Sequence, residues 1–286
     1  MPLSLASRIA DFLYPPYCTV CLAVLPSDLN SASYLSAPFC NNCMPSELYA
    51  AASPGQRQGA GRTNLKEAQD TRAYCRQCGA AACSLCPGSD ICIVCAAFPA
   101  PVRQLRSALV YAGAAKRAIC AFKYRAQRSM APYFGRLLAQ TLAGNLPDHP
   151  AFVEPRWDVV LAVPSSTDTL RGRGFNHVGL AARNFCRITG LKLDLLALRS
   201  SRIRKPQAGV PLNERTRNVQ NAFQARTRLK NLSVLLLDDV ITSGATVWAA
   251  TNAVLTAGAL SVDVLTIARS PRFSINRISA QTINHG

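Results

Sequence analysis

Residues 234 to 247 read VLLLDDVITSGATV. Four apolar residues run directly into two adjacent carboxylates, and a small, hydroxyl-bearing turn leads on into a helical pattern. So short an apolar run reads as a strand buried on both faces, the kind found in parallel sheets. WDVVLAVP (157–164) and LSVDVLTIAR (260–269) are further runs of that type. Between and before them lie helical patterns: a strand-like start passing into a basic helix in LVYAGAAKRAICAFKYR (109–125), then APYFGRLLAQTLAG (131–144), VGLAARNFCRITG (178–190) and GATVWAATNAVLTAG (244–258). Glycines close the last two. Strand alternating with helix predicts an α/β domain, a parallel sheet with right-handed crossovers. Such sheets bind ligands at the carboxyl ends of their strands.

That rule places the two acids. Asp238 and Asp239 are expected at the carboxyl end of their strand, with Thr242, Ser243, Gly244, Ala245 and Thr246 leading into a helix N-terminus. Free N–H groups and small hydroxyls there form a cup for a phosphate dianion, and Gly244 lets the backbone come close. Carboxylates do not bind phosphate. They accept from sugar hydroxyls or partner a phosphate-bound Mg²⁺. Together the features ask for a phosphorylated sugar. Helix capping by the acids is the structural alternative. The P-loop pattern is absent, and GRGFNH carries only the first two glycines of a dinucleotide fingerprint.

Charge divides the chain. Its formal net charge is +17, yet residues 1–100 hold 6 basic and 6 acidic side chains, so the excess belongs to 101–286. Arg103 to Arg128 carries seven basic residues and no acid; Arg199 to Lys230 carries nine against Glu214 alone. Clusters of this kind attract phosphate, as nucleic acid or as a polyphosphate ligand. Tyr111, Phe122 and Tyr124 in the first stretch and Phe223 in the second are compatible with base stacking over a backbone groove; core packing is the competing reading.

The neutral part is cysteine-rich. Ten of twelve cysteines form Cys-x-x-Cys pairs: Cys18/Cys21, Cys40/Cys43, Cys75/Cys78, Cys83/Cys86 and Cys92/Cys95. Two such knuckles complete a tetrahedral zinc site. The first 17 residues read as a short amphipathic helix, not an export signal, and no run of 18 apolar residues predicts a membrane span. A secreted disulfide framework fits poorly, and a cytosolic protein is expected. Cys18, Cys21, Cys40 and Cys43 make one plausible site; Cys75, Cys78, Cys92 and Cys95 make another, with Cys83/Cys86 as spares or replacements. The reading is a zinc-ribbon module over 1–100, with a flexible linker about 46–72, followed by an α/β domain over 101–286. Cys120 and Cys186 are expected as buried small apolar residues.

VLLLDDVITSGAT resembles the phosphoribosyl pyrophosphate (PRPP) motif of type I phosphoribosyltransferases. The ordered set of Cys-x-x-Cys pairs, FKY, RGRGFNH, RTRNVQNAF and that motif is similar to the competence protein F (ComF) family, from about Phe12 to Arg269. The resemblance implies a double zinc ribbon and a type I phosphoribosyltransferase-like parallel sheet flanked by helices. It implies that Asp238 and Asp239 hold the ribose hydroxyls, that Thr242 through Thr246 wrap the 5′-phosphate, and that the loop after Pro164 faces the pyrophosphate, carried as its magnesium complex. It also implies a role in handling single-stranded DNA during natural transformation, with DNA-uptake proteins as partners. Three departures stand out: His177 where the family usually has Gln, the extra Cys83/Cys86 pair, and a longer linker.

Arg171 and Arg173 are the candidate pyrophosphate contacts, with Lys205 or Arg215 from the basic insertion as a lid. Thr242 replaces the acid of purine-salvage relatives, which argues against a hypoxanthine or guanine enzyme. The residues name no acceptor, although His177, as a histidine, is a possible general base or a hydrogen-bonded structural residue. Two functions therefore compete: a ComF-like DNA-uptake factor that binds PRPP, and a metabolic phosphoribosyltransferase with a nitrogen acceptor. A PRPP-sensing regulator is a weaker third, since no helix-turn-helix pattern is evident.

Overall fold

The computed structural model describes Cys18, Cys75, Gln77 and residues 101–124, 127–145, 151–165, 174–201 and 222–270. Four parallel strands form the central sheet in the order β1 (Leu105–Val110), β6 (Ser261–Arg269), β5 (Ser233–Ile241), β2 (Val159–Ala162). Parallel pairing explains the near-continuous apolar runs, because both faces of every central strand are covered. β2 is buried at all four positions, and β5 and β6 along most of their length.

Two hydrophobic clusters sandwich this sheet. On one face Leu235, Leu237, Leu265 and Ile267 pack with α1 (Gly113–Tyr124), α2 (Ala131–Leu142) and α3 (His177–Thr189). On the other, Val234, Leu236, Val262 and Val264 pack with α4 (Ala245–Thr256). A short antiparallel hairpin, β3 (Leu198–Ser200) and β4 (Phe223–Ala225), joins that second face. The hairpin brackets the basic insertion and was not expected from sequence; strands of three residues carry too few side chains to show a period.

The connectivity contains a reversal. After β2 the chain passes through α3 and forms a parallel bridge, Val160 to Leu193, on the side of β2 away from β5. It then crosses back to β5 on the opposite side of β2, and continues outward through α4 to β6. The point between β2 and β5 where the order reverses is the topological switch point, where open α/β sheets form their ligand crevice.

Local chemistry sets the helix ends. Asn176 caps α3, its Oδ1 accepting from the Gly179 N–H at 3.0 Å, and Gly190 closes it at φ 74°. Helices α2 and α3 approach closely at Gly135. A Cβ there would lie 2.5 Å from Asn184 Cβ and 2.9 Å from the Phe185 backbone N. Gly135→Ala is therefore expected to force the helices apart and to lower stability by roughly 1–3 kcal/mol, read as a lower Tm with the midpoint slope unchanged.

At the amino-terminal edge of the sheet, the fully buried Asp263 accepts from Arg103 Nη2 at 2.5 Å, Trp157 Nε1 at 2.8 Å and the Gln104 N–H at 3.0 Å. This fastens β1 and the segment before β2 to β6. Arg106, 3% exposed, donates there to Gln104 Oε1 and Ala151 O. Two of the seven basic residues of the first cluster thus belong to the framework. No helix among the described residues is long and apolar enough to cross a membrane.

Candidate crevice at the switch point

Asp238 and Asp239 lie on β5 beside the switch point, in the last four residues of the strand, which continues to Ile241. They are 7% and 8% exposed. Successive strand side chains point to opposite faces. Asp239 follows Leu235 and Leu237 to the face of α1 and α3, where Lys123 Nζ stands 2.8 Å from its Oδ1 and His177 Nε2 contacts its Oδ2. The pleat places Asp238 with Val234 and Leu236, toward α4. Among the described residues its hydrogen-bond partner is the Asp239 backbone N–H, at 2.8 Å.

Their electrostatics diverge accordingly. Burial, then the neighbouring charge of Asp239, pushes the Asp238 carboxyl up to about 8, against weaker help from Lys123. Burial also acts to raise Asp239. There, however, the hydrogen bond from His177 and the charges of Lys123 and His177 together prevail, and its carboxyl is held below the ordinary range.

The turn after β5 is built as the sequence suggested. Thr242, Ser243, Ala245 and Thr246 are exposed, and Gly244 is buried at φ 85° as the residue preceding α4. Gly244 has no side chain to cap that helix, and the Ala245 N–H makes only a long contact, 3.4 Å, to Ser243 Oγ. First-turn N–H groups of α4 therefore point out at the crevice end of the sheet. Trp248 packs directly beneath: a Cβ on Gly244 would come within 2.5 Å of its indole.

The other sequence-derived residues divide in two. Lys123, given no role by the sequence, and His177, weighed there as a general base, join Asp239. Arg171, Arg173, Lys205, Arg215, Cys21, Cys40, Cys43, Cys78, Cys92 and Cys95 lie outside the described residues, as do Cys83, Cys86 and the boundary near residue 100. Cys18 is buried with the α1–α3 cluster, and Cys75 with the α4 cluster. Cys186 is buried as expected; Cys120 is half-buried, its thiol 3.3 Å from Tyr111 Oη. Of the aromatics offered for stacking, Phe122 is fully buried in the core and Phe223 half-buried, whereas Tyr124 is 67% exposed. Lys116, Arg117 and Arg128, from the same basic stretch, are exposed as well. A separate cavity of about 620 Å³, lined by Leu142, Trp157, Thr189, Leu191 and Ser233, opens at the opposite, amino-terminal end of β2 and β5 and holds none of these groups.

No family model matches the chain. It is similar to proteins named DNA utilization protein YhgH. With that of Salmonella typhi it shares 26% identity over 195 residues, 65% of this chain and 85% of the relative. With that of Escherichia coli K12 it shares 27% over 207 residues, 70% and 85%. Among solved structures, glutamine phosphoribosylpyrophosphate amidotransferase from B. subtilis, complexed with ADP and GMP, overlays at a TM-score of 0.36 with 19% identity, over 52% of this chain and 30% of that one. TT1426 from Thermus thermophilus overlays at 0.31 with 22% identity, over 53% and 79%.

Proposed function

We propose that this chain binds phosphoribosyl pyrophosphate, or a sugar phosphate of that class, in the crevice between β2 and β5, and that it serves the handling of single-stranded DNA. One arrangement carries the first half: a buried acid pair at the switch point, directly followed by an uncapped helix N-terminus with Gly244 at its mouth. Helix N–H groups suit a phosphate, and carboxylates suit the hydroxyls of the sugar attached to it. The second half draws support from the relatives named for DNA utilization and from the exposed Lys116, Arg117, Tyr124 and Arg128.

In this reading Thr242 through Thr246 surround the 5′-phosphate, and Arg171 and Arg173 meet the diphosphate. The donor chemistry fits a magnesium complex of the ligand, because Asp238 keeps acceptor capacity beside the phosphate cup; magnesium on the diphosphate would neutralise the charge of the leaving group. Transfer of the phosphoribosyl group to a nitrogen acceptor is the competing function. The deciding experiment measures diphosphate release from the ligand with a panel of bases, amines and short single strands, alongside oligonucleotide binding at several salt concentrations. Salt-dependent oligonucleotide binding without release supports the DNA-handling role. Release that depends on one small acceptor replaces it with a metabolic transferase.

The cysteine pairs are proposed to hold two zinc ions per chain, Cys18, Cys21, Cys40 and Cys43 at one and Cys75, Cys78, Cys92 and Cys95 at the other. Metal analysis of the purified protein is expected to give about two zinc ions per chain. A metal-free protein with these cysteines in disulfides would refute the assignment.

A further inference from the structure

The carboxylate of Asp239 is gripped on both oxygens. Lys123 Nζ stands 2.8 Å from Oδ1, the Val240 backbone N–H donates to the same oxygen at 2.5 Å, and His177 Nε2 contacts Oδ2. An ionised carboxylate only accepts, at about four lone-pair sites. Nε2 therefore carries the hydrogen of the His177 bond, and one site stays open on Oδ2. The Asp239 side chain is 12% exposed, so a ligand can reach that site. The two side-chain donors come from separate elements: Lys123 from the last turn of α1, His177 from the start of α3. Both are confined, at 16% and 4% exposure. Phe122 meets the His177 ring edge-on at 5.6 Å and is itself packed on Phe134 at 5.1 Å. Nδ1 of His177 is buried with no hydrogen-bond partner among the described residues, which leaves the Asp239 bond as the ring's polar anchor there.

We propose that Lys123 and His177 are positioning residues of the crevice: by holding both oxygens of Asp239 they fix the plane of its carboxylate and leave one acceptor site for a hydroxyl of the bound sugar phosphate. This rests on the phosphoribosyl reading of the site. It assigns the two donors, not the acid, whose contact with the sugar the family resemblance already implies. Torsion about an aspartate Cβ–Cγ bond is broad and roughly two-fold, so the rotamer alone does not aim the lone pairs. Hydrogen bonds weaken steeply with misalignment, and a binding group therefore needs neighbours that lock its orientation. A donor on each oxygen does so, and donors from two different helices make the aim depend on the packing of both against β5. The clamp also gives His177 a role, that of an N–H donor, which a glutamine amide fills equally.

The test uses the full chain and two probes, ribose 5-phosphate and inorganic phosphate, titrated by calorimetry. Phosphate alone reports the cup at the start of α4; the difference between the probes reports the sugar. Wild type is expected to bind ribose 5-phosphate at least tenfold more tightly than phosphate. Lys123→Met and His177→Leu should each cut that advantage at least fivefold, with phosphate affinity changed by less than about threefold. Lys123→Arg and His177→Gln keep an N–H donor to Asp239 and should retain the advantage within about twofold. In the Asp239→Asn background, Lys123→Met should change ribose 5-phosphate affinity by less than about twofold, because a residue that acts through Asp239 has nothing further to lose there. An equal loss in both backgrounds, or an equal loss for both probes, would overturn the assignment. Where a variant fails to fold, the wild-type chain is read by the nitrogen shifts of the His177 imidazole. Nε2 should carry the hydrogen with and without ribose 5-phosphate, and transfer of that hydrogen to Nδ1 on binding would overturn the clamp. A wild type that binds ribose 5-phosphate no better than phosphate would instead overturn the phosphoribosyl reading, and the positioning role with it.

Discussion

Asp238→Asn is expected to stabilise the protein and, at the same time, to weaken sugar-phosphate binding at least tenfold. The stabilisation follows from proton linkage. Asp238 titrates at about 8 in the folded chain, against an ordinary carboxyl value of 3.8. Folding therefore takes up a proton across that interval, and stability falls as pH rises through it, by at most about 1.4 kcal/mol per pH unit. The protonated carboxyl's contribution is fully present below the unfolded value and is lost as pH passes through 8. An amide carries no charge to bury. The variant's advantage should thus be small at pH 4 and grow steadily toward pH 8. Thermal unfolding of both proteins across that range measures it. A gap that stays constant or closes with rising pH would contradict the assignment. Asp239 has the opposite sign. Its depressed carboxyl contributes stability above the ordinary range and loses it as pH falls through its folded value.

Gly244→Ala is the second large effect. Its φ of 85° disfavours any side chain, and the new Cβ would stand 2.5–2.7 Å from the Trp248 indole. Left-handed backbone costs about 1–2 kcal/mol for a non-glycine residue, and overpacking against a ring adds about 1–3. A loss of roughly 2–5 kcal/mol in stability is expected from the two together. The chain can relieve the contact only by moving the turn or Trp248, and either displaces the first-turn N–H groups. Ligand affinity should fall at least tenfold even where the protein remains folded, measured below the variant's Tm. A variant with wild-type affinity would show that the turn does not form the phosphate cup.

Most of the described sheet was legible from its apolar runs, because a parallel strand buried on both faces needs no partner in sequence to reveal itself. The runs at 157–164, 232–240 and 260–269 correspond to β2, β5 and β6. The helix ends at Gly190 and near Gly258 were legible for the same local reason, a glycine at positive φ. The reversal of strand order was not legible. It depends on a single bridge at Leu193, which has no strand-length pattern around it. Lys123 was legible only as part of the FKY motif, with no role attached. It sits in a run of basic residues, and nothing local distinguishes the one that reaches across the fold to Asp239. The basic run itself overstated the available charge, since Arg103 and Arg106 are consumed in the Asp263 network. The division between the two acids did have a sequence signal, the period of two, which sends adjacent residues to opposite faces.

The measurement that bears most directly on this account is a calorimetric titration of magnesium–phosphoribosyl pyrophosphate into the full chain and its Asp238→Asn variant. Saturable one-to-one binding by the wild-type chain, at least tenfold weaker in a variant that unfolds at a higher temperature, is the predicted result. Equal binding by both, or none by the wild type, would contradict the reading of the crevice between β2 and β5 as a phosphoribosyl site.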